Sequence, residues 1–216
     1  LQEFFRHSDD VKRANMEGVL EGKRMIVQGL GNVGFHAAKF LSEEDGVKVT
    51  AIIERDGAII NETGLDIEEV HHHRLENGGV KGFPGSEHVE DGHSVLEKEC
   101  DILLPAALEG QITRENAGRI KANLIAEAAN GPVTYGADQI LREKGVVIIP
   151  DAYLNAGGVT VSYFEWIKNL SHIRFGRMER RYEEAQSRGL VAAIEEATGK
   201  SLSESVKKNL IAGPDE

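Results

Sequence analysis

The chain of 216 residues has a single cysteine, Cys100. An intramolecular disulfide is therefore excluded, and a reducing, cytoplasmic setting is expected. Placed at the head of an apolar run, Cys100 reads as a small buried thiol rather than a nucleophile. No apolar run approaches the ~20 residues needed to span a bilayer, and the N-terminus has no signal-peptide pattern. Basic residues are also in short supply, 25 Lys and Arg against 36 Asp and Glu, for a net charge of −11. Without a basic stripe to offset those acids, neither nucleic acid nor an anionic membrane is an expected partner. What is present is ample core material, 40% hydrophobic residues. The length suits one domain, or one domain with a helical appendage.

The chain is organised around Lys23–Leu41, KRMIVQGLGNVGFHAAKFL. Met25-Ile26-Val27 is the kind of short apolar run buried on both faces of a parallel sheet. Gly29-Leu30-Gly31-Asn32-Val33-Gly34 then fits G-x-G-x-x-G and leads into an apolar stripe at helical spacing, Val33, Ala37, Phe40 and Leu41. Gly29 would allow the tight turn, Gly31 the approach of a pyrophosphate, and Gly34 close packing of the helix. The helix would start with free N–H groups and its positive end toward the phosphates. With 24 glycines in the chain the pattern alone is weak, but its context strengthens it. A second strand, Val47–Ile53, ends at Glu54, near the spacing of about 20 residues at which an acid meets the adenosine ribose.

Residues 1–22 read as a helix with apolar anchors Leu1, Phe4, Phe5 and Val11, then a glycine-punctuated turn. Beyond Glu54 come an Asp56-Gly57 turn, a short strand, and a helix over Leu65–Asn77. That helix carries His71-His72-His73. Consecutive helical residues diverge by about 100°, so a solvated surface is expected there rather than a metal site. After a loop at Gly78–Gly85 the rhythm repeats, with strands at Asp101–Pro105, Leu124–Ala128 and Val146–Pro150 and helices at Thr113–Ile120 and Tyr135–Lys144. Strands alternating with helices predict an α/β fold, a doubly wound and mostly parallel sheet with right-handed crossovers. Helices follow from Val159 to Leu170 and from Arg177 to Thr198, and a capping box at Ser201 and Glu204 predicts one more, to Leu210.

Ligands of such sheets bind beyond the carboxyl ends of the strands. Ala106-Ala107, Asn130-Gly131 and Asn155-Ala156-Gly157-Gly158 fall on that edge with the glycine turn. Small side chains there leave room for a flat ring, and asparagines can bond ribose hydroxyls or a carboxamide. Any one of these asparagines could equally be a turn residue; three such segments at one edge favour a site.

The segments GKRMIVQGLGNVGFHAAKFL, DILLPAALEGQIT, LIAEAANGPVT and above all VVIIPDAYLNAGGVTVSYFEWIKN resemble the nucleotide-binding domain of glutamate dehydrogenases. These belong to the Glu/Leu/Phe/Val amino-acid dehydrogenase superfamily. The resemblance is close over Lys23–Leu170, and Ser171–Glu183 is similar to the hexameric glutamate enzymes in particular. It implies a Rossmann-type domain at 23–170. Residues 1–22 would lead in from an N-terminal substrate domain not contained here, and 171–216 would be C-terminal helices, truncated. By the same resemblance Gly29, Gly31, Asn32, Val33 and Gly34 would hold the pyrophosphate and Glu54 the ribose. Ala106 and Ala107 would line the cleft, and Asn130 and Asn155 would lie near the nicotinamide riboside. Val159 and Ser162 would face the substrate, Ser162 meeting its distal carboxylate. Otherwise Ser162 reads as a helix hydroxyl bonding its own i−4 carbonyl.

The family's catalytic lysine and aspartate come from that N-terminal domain, so no catalytic residue and no metal ligand is expected in this chain. Binding of cofactor without turnover is the expectation, with L-glutamate, 2-oxoglutarate and a homo-hexamer implied for the full enzyme. Glu54 disfavours a 2′-phosphate and favours NAD, while Arg55 beside it leaves NADP possible. The alternatives are a leucine, phenylalanine or valine dehydrogenase, or a non-catalytic NAD-sensing module.

Overall fold

The run Met25-Ile26-Val27 lies at the centre of the protein, fully buried in strand β1 (Arg24–Gln28). The computed structural model describes residues 1–171, 177–203 and 205–207. Parallel neighbours flank β1, β2 (Lys48–Glu54) on one side and β5 (Ile102–Pro105) on the other. With β3 (Gly57–Ile60), β4 (Glu87–Val89), β6 (Leu124–Ala126) and β7 (Val147–Ile149) they form a seven-stranded sheet, ordered β4-β3-β2-β1-β5-β6-β7. The β2–β3 and β3–β4 pairs are antiparallel and the remainder parallel. Between Met25 and Ile26 the register against β2 slips by one residue. The extra residue, Thr50, is buried, and its hydroxyl donates to the Met25 carbonyl. That bond satisfies a polar group which the bulge would otherwise strand.

Successive residues of these strands serve opposite faces. Met25, Val27, Ile102, Leu104, Leu124 and Ala126 enter one apolar cluster; Ile26, Leu103 and Ile125 enter the other. The first cluster is covered by α1 (Gln2–Arg6), α2 (Ser8–Arg13), α3 (Asn32–Glu43) and α4 (Ile67–Asn77). The second is covered by a 3₁₀ turn at Gly92–Glu97, by Ala117 and Ile120, and by α5 (Tyr135–Glu143). Helices on both faces of a mostly parallel sheet make the doubly wound α/β fold that the alternation predicts. Cys100 is buried in the second cluster, and burial pushes its thiol up to about 12.

Several local expectations need correction. The core face of α3 is Gly34 and Ala38, with Leu41 half-buried, whereas Val33 and Phe40 are 53% and 50% exposed. Residues 1–22 form two short helices rather than one, and Val11 with Leu1, Phe4 and Phe5 packs into the first cluster. Of Thr113–Ile120 only Ala117–Arg119 is helical, as a 3₁₀ turn. Asn116 accounts for this. Its side chain accepts from the Thr113 N–H at 2.8 Å and donates to the Gln111 carbonyl at 2.9 Å, so side chain competes with helix for the same backbone. Strand β7 is half-buried, not buried, as suits the sheet's edge. Of the three histidines only His72 is exposed; His71 stacks on Phe35 at 3.9 Å between centroids, and His73 lies near the Lys81 carbonyl at 3.1 Å.

The chain divides into two compact units, Leu1–Gly157 and Gly158–Glu216. After β7, α6 (Asp151–Leu154) and α7 (Ala156–Ser171) follow almost without interruption, so Gly157 and Gly158 are helical rather than part of a loop. In the second unit α8 (Arg177–Thr198) keeps the bounds read from sequence. Its Glu195 carboxylate accepts from the Leu202 N–H at 2.8 Å and pairs with Lys207 at 3.0 Å. The Ser203 hydroxyl accepts from the Val206 N–H at 3.4 Å in the turn that follows. Glu204 of the expected capping box and the helix end at Leu210 lie outside the described residues.

Candidate cofactor site

Gly29 leaves the central strand at φ +86°, a conformation natural to glycine alone. Its N–H donates to the Ile53 carbonyl at 2.8 Å, which ties the turn to the end of β2. A methyl group on Gly29 would sit 2.8 Å from Ala107 Cβ and 3.1 Å from the Ala106 carbonyl oxygen. Gly34 is tighter still, since a Cβ there would fall 1.8 Å from the Gly29 carbonyl oxygen and 3.3 Å from Ala106 Cβ. Gly31 is different. Among the described residues nothing lies within 4 Å of its hypothetical Cβ, and it takes the N-cap position of α3 in extended conformation. No side chain caps α3 and its first turn holds no acid, so the N–H groups of Asn32 and Val33 open the helix beside exposed ground. The helix dipole places partial positive charge there, a ready seat for an anion.

Glu54 ends β2 and turns back to this junction. Its Oε1 accepts from the Leu30 N–H at 2.6 Å, inside the glycine turn, and its side chain is only 15% exposed. Arg74, in the last turn of α4, brings Nε to 4.0 Å from the same oxygen. That Nε is buried and makes no hydrogen bond among the described residues. Gly29, Gly31, Glu54, Arg74, Ala106 and Ala107 together line an open cleft of about 680 Å³ beyond the carboxyl ends of β1, β2 and β5. Gln28, the last residue of β1, forms part of its floor; its Nε2 donates to Gln111 at 2.8 Å, and its Oε1 is buried without a partner among the described residues.

Asn32, Val33 and Gly34 form the first turn of α3 and are not among the residues that line the cleft. Asn130 and Asn155 follow β6 and β7, and the Asn155 side-chain amide donates to Asn130 Oδ1 at 2.7 Å. Val159 and Ser162 belong to the second unit, exposed and three residues apart on α7. That spacing puts them on one helix face. Sequence reasoning missed Arg74 and the Gln28–Gln111 pair. A polar residue closing an otherwise apolar strand was the available signal for Gln28; Arg74 reaches the cleft only through the packing of α4 on α3. Among the described residues no group of three or more His, Cys, Asp or Glu could hold a metal ion.

A profile of the Glutamate/Leucine/Phenylalanine/Valine dehydrogenase family matches residues 8–215. The chain belongs to that family. Among its members, the mitochondrial glutamate dehydrogenase of Dictyostelium discoideum is 48% identical over 216 residues, which is all of this chain and 43% of that protein. A probable glutamate dehydrogenase of Sinorhizobium fredii is 50% identical over 194 residues, 90% of this chain and 44% of that one. This chain thus spans under half the length of these curated relatives. Of solved structures, the hetero-hexameric glutamate dehydrogenase of Thermus thermophilus in its leucine-bound form superposes with a TM-score of 0.67 at 28% identity. The match covers 94% of this chain and 48% of that one. No described helix is long and apolar enough to cross a membrane.

Proposed function

We propose that this chain is the NAD-binding, C-terminal domain of a glutamate dehydrogenase. The observation that carries the proposal is the junction of β1, α3 and β2, where an uncapped helix start and the Glu54 carboxylate face one cleft. These residues fit a dinucleotide. The open N–H groups of α3 suit a diphosphate, Gly31 leaves its approach clear, and Glu54 keeps Oε2 to accept from ribose hydroxyls. Ala106 and Ala107 floor the cleft with small side chains, and Asn130 and Asn155 are the polar groups for the nicotinamide riboside. A bound nicotinamide supplies the hydride acceptor for oxidation of an amino acid to its 2-oxo acid and ammonia. The part of this chain in that reaction is to bind and orient; it contributes no catalytic residue of its own.

The amino acid we propose is L-glutamate, its distal carboxylate met by the Ser162 hydroxyl beside Val159. A homo-hexamer and a cytoplasmic setting complete the proposal; six subunits are in keeping with the Thermus thermophilus assembly, itself a hetero-hexamer, and a reducing compartment with the lone buried cysteine. NAD is favoured over NADP because a 2′-phosphate would meet the Glu54 charge, partly offset by Arg55 and Arg74 in the same cleft. Calorimetric titration with NAD and NADP tests this. NAD should bind about tenfold more tightly, the ratio for roughly one unscreened like-charge contact, and the chain alone should not oxidise glutamate. Equal affinity would remove the Glu54 argument, and no binding of either would remove the proposal.

A further inference from the structure

Two carboxylates tie together the strand ends that carry Asn130 and Asn155. Glu127 follows β6 directly and is 7% exposed. Its Oε1 accepts from the Val133 N–H at 3.3 Å, and its Oε2 from the Asp151 N–H at 3.0 Å. Asp151 opens α6 just past β7. Its Oδ2 accepts from the Gly131 N–H at 2.7 Å and its Oδ1 from the Ala152 N–H at 2.6 Å. The bonds cross, each loop lending a carboxylate to the other's backbone. Further stitches fix the β6 loop to its neighbours, with Ala128 and Ala129 both donating to the Pro105 carbonyl and Glu127 N–H to that of Ile149. Within this frame lies the hydrogen bond from the Asn155 side-chain amide to Asn130 Oδ1, 2.7 Å long.

Packing alone does not call for such a device. A nearly buried carboxylate is costly to desolvate, and burial pushes the Glu127 carboxyl above the ordinary range. The Asp151 and Val133 N–H groups pull it back, while the charges of Asp151 and Asp138 push the same way as burial. An apolar side chain would fill the space without that cost, but it would leave two backbone donors unmet and the loops untied.

We infer that Glu127 and Asp151 are positioning residues, whose crossed bonds hold the Asn130–Asn155 amide pair in place for the nicotinamide half of the dinucleotide. The inference rests on the cleft being a dinucleotide site, and it assigns the clasp to one half of the ligand only. The adenosine half is served by Glu54 and α3, on the other side of β1 from β6 and β7.

The test is calorimetry on this chain with NADH and, separately, with ADP, which lacks the nicotinamide riboside. Glu127→Ala and Asp151→Ala should each weaken NADH about tenfold, as expected for lost charge-assisted hydrogen bonds, and leave ADP within about twofold. Glu127→Gln, which keeps one acceptor, should fall between. Asp151 is half-buried, so its variant decides the matter should Glu127→Ala fail to fold. Unchanged NADH affinity, or an equal loss for both ligands, would overturn the inference and leave the dinucleotide site standing. Failure of the unaltered chain to bind either ligand would overturn the site itself.

Discussion

The two ends of the ligand-facing strand edge are made in opposite ways. At the β1–α3–β2 end the decisive feature is the lack of side chains: Gly29 and Gly34 let backbone, helix and Ala106-Ala107 approach to distances that a Cβ would forbid. At the β6–β7 end side chains decide, since Glu127 and Asp151 reach across to each other's loops. A site built from backbone is rigid by exclusion. One built from carboxylates is rigid only while its hydrogen bonds hold, and it depends on protonation.

The sharpest way to break that contrast is Gly34→Ala. Its methyl group would meet a backbone carbonyl at 1.8 Å, so the turn must move. We expect a loss of about 3 kcal/mol or more in denaturant unfolding, at or above the upper end for over-packing, together with loss of NAD binding. Gly31→Ala is the control, with open space around it and an ordinary φ of −73°. Its stability should stay within about 0.5 kcal/mol of the parent, while NAD binding falls because the methyl occupies the phosphate approach.

Glu54→Gln comes next. It keeps an acceptor for the Leu30 N–H while removing the charge, so NAD should weaken and the NAD-to-NADP affinity ratio should fall about tenfold. An unchanged ratio in parallel titrations would separate cofactor choice from Glu54.

The smallest effect is a pH slope at the other end. Burial is the chief cause that holds the folded-state pKa of Glu127 above the ordinary carboxylate range. Its contribution is therefore fully present below the unfolded pKa and lost as pH rises through the folded one. Acidification from neutral pH should raise the stability of the parent relative to Glu127→Gln, measured by denaturant unfolding at each pH. The opposite slope would mean that the hydrogen bonds outweigh desolvation.

The glycine end was largely readable in the sequence, because strand, turn, helix, strand and acid are consecutive and each leaves a local trace. Strand β2 does end at Glu54, α4 ends at Asn77, and α8 keeps both expected bounds. Where local signals failed, a specific competitor won. Hydrophobicity chose Val33 and Phe40 as the packed face of α3, but close approach to the turn selects Gly34 and Ala38 instead. Helical composition at Thr113–Ile120 lost to the Asn116 side chain. The Glu127–Asp151 clasp and the approach of Arg74 to Glu54 join residues 24 and 20 positions apart through folded loops, and no local spacing announces them.

The buried thiol of Cys100 has a practical consequence. With its ionisation displaced to about 12, almost none of it is thiolate at neutral pH, so alkylating reagents pass it by while the sheet stays closed. A cysteine introduced on an exposed loop would then be the only rapidly labelled position, and the slow labelling of Cys100 would clock the opening of the core around it.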